Sequence, residues 1–296
     1  MIQKWTVAVV MLSVIALASC NNFLDKENKQ IEENERKISE YLTANNLSAT
    51  LDSSGLYYVR KVSNASGRKA NIGDEVSIYY RTYTLDGRLI DSTETSKGKP
   101  FIYPALTLFH LRGVILGVNL MRTGEKFTLL LPYYLAYGND TYGSVPAYSP
   151  LRVEVELVNV RTEGEQIQNY LDEKEYEISE RLTDNLNIVR RVTTTGDTIG
   201  KGKVVKLNYT GRTLDGKEFD KGNYTFTTGL VGQGAPIPGF DRGVRRLRNG
   251  ETAVLVFPSA LGYGRDGARN QQTGQFVINP YAPLAFEVEI ISVTNP

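Results

Sequence analysis

The chain is poor in the reactive side chains from which most enzyme sites are assembled. Among 296 residues there is one cysteine, Cys20, and one histidine, His110. A single cysteine excludes an internal disulfide, so any fold has to rest on its apolar cores. A single histidine with no partner cluster in the sequence is a poor candidate for catalysis or metal binding. No cofactor is expected. The chain also lacks a surplus of one charge: 34 Lys and Arg face 33 Asp and Glu, a net +1. Binding to nucleic acid draws on a concentrated basic surface, and this balance gives no reason to expect it. The short cluster Arg242, Arg245, Arg246 and Arg248 reads as a solvated helix face rather than a phosphate site. Gly229 to Gly239, "GLVGQGAPIPG", has Gly-x-Gly without a following Gly-Lys, and so is a loop rather than a phosphate cradle.

What is present is a globular composition, 41% hydrophobic and 23% charged, over a length that suits two domains. The first 19 residues stand apart. Lys4 is followed by an apolar run from Val7 to Leu17, too short to span a bilayer comfortably, and then by small residues. This is the pattern of a leader, residues 1–19. The stretch Leu17-Ala18-Ser19-Cys20 resembles the lipobox of bacterial lipoproteins, which implies lipidation of Cys20 and a membrane anchor there. With one histidine and a lipidated Cys20, neither Ser-His-Asp nor Cys-His chemistry is expected. The asparagines after Cys20 are compatible with outer-membrane sorting, so the expected location is the bacterial cell envelope, on the outer membrane facing the periplasm.

Residues 20–52 read as a tether and spacer helix. From Asp25 to about Asn46, Ile31, Ile38, Tyr41 and Leu42 form one apolar stripe among mixed charges. The stripe is shorter than two heptads, which favours a helix leaning on the next domain over a coiled coil. A second such stretch, Glu163 to about Leu186, carries Ile167, Tyr170, Leu171, Ile178 and Leu182 and reads as a helical linker, residues 163–187.

The rest alternates as strands, and it does so twice. "YRTYTLDGRLID" (Tyr80 to Asp91) and "YTGRTLDGKEFD" (Tyr209 to Asp220) are two versions of one hairpin, each turning at Asp-Gly. "LRGVILGVNLMRTGEKFTLLLPYYLAYG" (Leu111 to Gly138) and "IPGFDRGVRRLRNGETAVLVFPSALGYG" (Ile237 to Gly264) keep Gly, Gly-Val, Gly-Glu, Pro and Tyr-Gly in register. Short helices are expected over Val114 to Met121 and Phe240 to Leu247. Closing strands follow at Arg152 to Leu157 and Ala285 to Ile290. Similarity of this length means duplicated domains, 53–162 and 188–296, each α+β with several antiparallel strands and one helix.

These residues resemble the FKBP-type peptidyl-prolyl isomerases. The resemblance rests on V-x-x-x-Y-x-G-x-x-x-D-G-x-x-F-D (Val205 to Asp220), Pro238-Gly239-Phe240, the Gly-Glu turn, the Tyr-Gly pair and the terminal F-x-V-E-I strand (Phe286 to Ile290). It implies a curved antiparallel sheet wrapped around a short helix, and an activity toward X-Pro bonds. Rotation about such a bond crosses a barrier of ~18–20 kcal/mol. A twisted amide has lost resonance, so a dry aromatic hollow can bind it better than the planar form. A barrier lowered by about 5 kcal/mol gives a several-thousandfold acceleration.

In the second domain the resemblance implies a proline pocket walled by Tyr209, Phe219, Phe226, Phe240 and Phe286 and closed by Ile237 and Ile278. Tyr224 is the remaining upper-wall ring. Asp220 is implied as a buried carboxylate bonded to Tyr209, and Tyr263 and the Ile237 N–H as donors to substrate carbonyls. Phe240 stands where the family most often has Trp. The loop Gly229 to Pro236 is longer than the family's, and Arg265 to Phe276 also flanks the mouth. Without the motif order, these rings would read as ordinary packing of a β-rich core. In the first domain Tyr80, Asp91, Phe101, Tyr103 and Tyr137 persist. Ile90, Val114 and Val153 replace aromatic walls, with Leu111 and Val145 closing a degenerate pocket. Thr82 also stands where the second hairpin has Gly211. The expectation is an envelope peptidyl-prolyl isomerase acting on proline-containing unfolded or loop-exposed polypeptides, with the second domain active and the first weak or inactive. The alternative is a non-catalytic, chaperone-like or assembly lipoprotein that uses both domains as binding modules.

Overall fold

The computed structural model describes residues 27–93, 98–105, 110–232 and 234–296. The leader and Cys20 lie outside the described residues. The chain divides into two compact units, one within Met1–Lys69, Ser77–Phe101 and Phe109–Asn159, the other within Ala70–Val76, Ile102–Leu108 and Val160–Pro296. Among the described residues no helix is long and apolar enough to cross a membrane.

The first unit opens with helix α1 (27–44). It does lean on the domain, and a polar pin holds it there. Asn34 is fully buried; its amide donates to the Gln30 and Tyr148 carbonyls, and its oxygen accepts the Tyr133 N–H, each at 3.0 Å. Ile38, one turn on, is also fully buried, while Arg36 pairs with Glu33 and Glu40 on the solvent face. The strands that follow are β1 (Thr50–Leu51), β2 (Tyr57–Val62), β3 (Glu75–Thr84), β4 (Leu89–Ser92), β5 (Phe101–Pro104), β6 (Lys126–Leu131) and β7 (Leu151–Arg161), with helix α2 (Arg112–Leu120) before β6. The sheet runs β1-β2-β6-β7-β3-β4, and β5 also pairs with β3.

The second unit begins with α3 (Glu163–Glu173), much shorter than the linker helix expected to reach Leu186. A capping box starts it: Thr162 accepts from the Glu165 N–H while the Glu165 carboxylate accepts from the Thr162 N–H. Past its C-terminus Glu175 takes φ 53°, a left-handed turn that breaks the helix, so Ile178 and Leu182 fall beyond it. Ile167, Tyr170 and Leu171 pack against Val189, Val254, Val256 and Ala285, so α3 covers one face of the second sheet. The strands are β8 (Glu180–Arg181), β9 (Asn187–Val192), β10 (Val204–Thr213), β11 (Glu218–Thr227), β12 (Thr252–Phe257), β13 (Ala268–Arg269), β14 (Phe276–Ile278) and β15 (Leu284–Thr294), with α4 (Pro238–Val244) before β12. The main sheet runs β11-β10-β15-β12-β9-β8, and β13-β14 form a separate ribbon. The architecture is α+β, with two antiparallel sheets and short helices.

The glycines repeated between the halves set how closely helix meets sheet. A Cβ at Gly113 or Gly117 would lie 2.4 Å from the Leu131 or Leu129 side chain. At Gly239 or Gly243 it would lie 2.6 Å from Phe257 or Leu255. One bare face of each helix therefore rests directly on the neighbouring strand. The helices are shorter than expected at their C-terminal ends. The closing strands are longer, Leu151–Arg161 and Leu284–Thr294; in β7, Leu151, Val153, Val155 and Leu157 all face inward, and the alternation breaks at Val158 and Asn159, both exposed.

Candidate functional site

In the second unit, strand alternation puts Leu207, Tyr209 and Gly211 on one face of β10. Gly211 pairs across the ladder with Phe286 on β15, and Tyr209 with Val288. Phe240 comes from the first turn of α4, Phe219 and Phe226 from β11, and Ile278 from β14. These rings converge. Phe240 lies edge-on to Phe286 at 5.1 Å and to Tyr209 at 5.8 Å, and tilted against Phe226 at 6.0 Å. Phe219 meets Phe286 at 5.5 Å and Tyr224 stacks on Phe226 at 5.1 Å. Phe226, Phe240, Ile278 and Phe286 are buried, whereas Tyr209, Phe219, Tyr224 and Ile237 are half-buried at the edge. The result is an apolar floor beneath a rim of tyrosines.

The rim carries the polar groups. The Tyr209 hydroxyl donates to Asp220 Oδ2 at 2.8 Å. Burial and then the Asp220 carboxylate push the Tyr209 phenol up to about 12, so it remains a hydrogen-bond donor at neutral pH. Asp220 itself is exposed, which corrects the expected buried carboxylate: β11 is the edge of its sheet, so the side chain stands at the sheet's open flank. Tyr263 is 37% exposed beyond the 3₁₀ turn Ser259–Leu261, and burial of the rest of its ring raises its phenol as well. Ile237 is the residue that opens α4; its carbonyl accepts the Phe240 and Asp241 N–H groups.

Asp241 was not foreseen from the sequence. It is buried, accepts the Gly229 N–H at 2.7 Å and pairs with Arg245 at 3.0 Å. Tyr224 donates to the Gly234 carbonyl at 3.2 Å. The extended loop is therefore tied to α4 and to β11, with Leu230 and Val231 exposed near its start. An acidic residue in the first turn of a helix was the available signal, and it reads as a dipole partner unless the loop's return is known. The segment Arg265 to Phe276 contains β13 and ends on the first residue of β14, where the Arg269 guanidinium lies 3.5 Å over the Phe276 ring. The arginine cluster is not a plain solvated face: Arg242 pairs with Asp184, Arg246 with Glu180, and Arg248 with Glu251. Each cation is matched, which also leaves nothing for a phosphate.

The first unit holds the same frame with other contents. Leu111, Val114, Val145 and Val153 are fully or nearly fully buried, Tyr80 is buried, and Ile90, Asp91 and Tyr137 are half-buried. Tyr103, also buried, belongs to the segment Ile102–Leu108 that groups with the second unit. Phe101 is 39% exposed and meets Tyr80 edge-on at 6.1 Å. Tyr80 donates to Asp91 Oδ2 at 2.7 Å, the counterpart of Tyr209 and Asp220. The substitutions are coupled. A Cβ on Gly211 would stand 2.7 Å from Phe219 and 2.8 Å from Phe286. Where those rings are Ile90 and Val153, the position opposite can carry Thr82, which is fully buried. Its hydroxyl makes no hydrogen bond among the described residues. The sequence also missed two members of this rim, His110 and Tyr142: His110 lies nearly parallel to Tyr137 at 6.2 Å, and Tyr142 stacks on Tyr137 at 4.1 Å.

An antiparallel sheet carrying a short helix at glycine contact occurs twice in the chain, and in the second copy rings from the strands and the helix start converge on one apolar floor. A sequence model of the family described as FKBP-type peptidyl-prolyl cis-trans isomerase matches residues 66–158 and 196–291, one match in each half. The chain belongs to that family. Human peptidyl-prolyl cis-trans isomerase FKBP10 is 30% identical over 233 residues, which cover 77% of this chain and 36% of that protein. FKBP-type peptidyl-prolyl cis-trans isomerase FkpA of Aeromonas hydrophila is 37% identical over 138 residues, 46% of this chain and 50% of that one. The chain thus spans about a third of the length of the first and half of the second. Among solved structures, the three FKBP domains of wheat FKBP73 align at 21% identity and TM-score 0.40, covering 84% of this chain and 100% of that one. FkpA from Escherichia coli aligns at 25% identity and TM-score 0.39, covering 51% and 70%.

Proposed function

We propose that the second domain is a peptidyl-prolyl cis-trans isomerase acting on X-Pro segments of unfolded or loop-exposed polypeptides. The observation that carries this reading is the convergence of Tyr209, Phe226, Phe240 and Phe286 on one apolar floor beneath the Tyr209–Asp220 pair. The proline ring rests on Phe240 and Phe286. The Ile237 N–H and the Tyr263 hydroxyl hold the carbonyls that flank the rotating bond. No covalent bond to the protein forms; the apolar walls favour the twisted amide over the planar one and exclude the water whose hydrogen bonds would stabilise the planar amide's charge-separated resonance form. The first domain keeps the scaffold with reduced or lost activity, since Ile90, Val114 and Val153 take away ring area.

Proline-limited refolding of a substrate protein tests this. The full chain is expected to speed the slow phase, and Phe240→Ala or Asp220→Ala to reduce that effect tenfold or more while circular dichroism stays native. An unchanged slow phase with reduced aggregation would instead support the chaperone-like reading. We further propose that the protein is held on a bacterial envelope membrane by lipid on Cys20, on the basis of the Leu17 to Cys20 lipobox. Cys20→Ser is expected to move it from the membrane fraction to the soluble fraction; retention in the membrane would refute the anchor.

A further inference from the structure

The rim of the first unit holds chemistry that a proline pocket does not ask for. His110 stands immediately before Leu111 where α2 begins, and the matching position in the other repeat, before Ile237, is Pro236. His110 Nε2 lies 3.8 Å from Asp91 Oδ2, the same oxygen that accepts the Tyr80 hydroxyl. The two side chains are 39% and 43% exposed, so both are open to a ligand. Around them stand the rings of Tyr80, Phe101, Tyr137 and Tyr142, with Tyr142 itself 56% exposed. A half-exposed carboxylate beside tyrosine rings is a composition that can hold an organic cation. The ring quadrupoles attract it and the carboxylate neutralises it. A neutral aliphatic chain gains from the rings alone.

We propose that this rim binds polypeptide segments through a lysine or arginine side chain, seated against Tyr80, Tyr137 and Tyr142 with its charge at Asp91, and that a protonated His110 displaces it by taking the same carboxylate. His110 meets Asp91 from β4, Tyr80 from β3, and Tyr137 from the loop after the 3₁₀ turn Tyr133–Leu135, with Tyr142 behind. Burial lowers its proton affinity and Asp91 opposes that, so the imidazole takes up its proton below the ordinary histidine value and is neutral above it. Both tyrosines on which it leans stay neutral throughout, since burial raises Tyr80 and pushes Tyr137 up to about 12. Binding is therefore strongest when His110 is neutral and weakens as pH falls. The proposal does not depend on isomerase activity in the second domain.

The chain's one histidine gives a single imidazole signal, which reports this site without interference. NMR titration of the full chain with a blocked, proline-free lysine peptide at pH 8 should shift that signal. The norleucine counterpart should bind at least tenfold more weakly. At pH 5 the lysine peptide should lose at least fivefold in affinity. His110→Gln should abolish that loss while keeping the lysine preference, read by fluorescence anisotropy. Asp91→Asn, which keeps an acceptor for Tyr80 and hence the fold, should abolish the preference. Equal affinity for the two peptides, or an unmoved His110 signal at saturating lysine peptide, overturns the site. A pH dependence that survives His110→Gln overturns the competition.

Discussion

Glycine 211 and threonine 82 are one choice made twice, and the rings opposite decide it. In the second unit Phe219 and Phe286 fill the space into which a side chain at Gly211 would point. In the first, Ile90 and Val153 leave that space, and Thr82 takes it up. Interior volume is conserved more tightly than any single residue, because overpacking and cavities both cost stability. Gly211→Thr should therefore destabilise the second unit by about 1–3 kcal/mol, seen as a lower denaturant midpoint. It should also cut isomerase activity at least tenfold, because Phe219 or Phe286 must leave its place. A variant with wild-type midpoint and rate would show that the rings can yield without loss.

Elements in this protein are held by a few polar pins set into apolar contacts. For α3 the pin is Glu163, whose carboxylate accepts the Ser259 N–H at 2.6 Å and the Ser259 hydroxyl at 2.8 Å. Burial raises the Glu163 carboxyl above its ordinary value, with the two Ser259 bonds working against that shift. The folded state thus holds this proton more tightly than the unfolded chain. Its contribution is fully present below the ordinary glutamate value and is lost as pH rises through the raised one. Glu163→Gln, which cannot ionise, should flatten that part of the stability–pH curve. Chemical denaturation of both forms between pH 4 and 7 measures it; parallel curves would mean that Glu163 is not the responsible group.

At the scale of the molecule, the two units share a frame and differ in what lines it. Tyr263 at the rim of the second and Tyr137 at the matching rim of the first follow the same turn from the strand into Pro and Tyr-Gly. If only the second unit does the chemistry, Tyr263→Phe removes one hydrogen bond to substrate and slows turnover about three- to tenfold. Tyr137→Phe then leaves the rate of the full chain unchanged. Refolding assays on both variants decide this, and an equal drop from Tyr137→Phe would assign activity to the first unit too.

The sequence by itself determined the duplication and the α+β class, because each follows from local order: alternation along strands, Asp-Gly at the hairpins, glycines at helix spacing. The aromatic residues of the floor were implied only by the order of motifs shared with a known family. The sequence overran α3, since the apolar stripe continues beyond Glu173 and only the left-handed turn at Glu175 shows where the helix stops. It also left the purpose of Gly113, Gly117, Gly239 and Gly243 open. Only the tertiary structure decided that these four are contact points of helix on strand, that Asp220 is exposed on an edge strand, and that Asp241 ties down the long loop. The same holds for His110, which in sequence stands alone before α2 and in space faces Asp91, contributed by strand β4. Periodicity reports which way a side chain leaves its own backbone; what it meets depends on segments far along the chain, and that is set when helix and sheet close on each other.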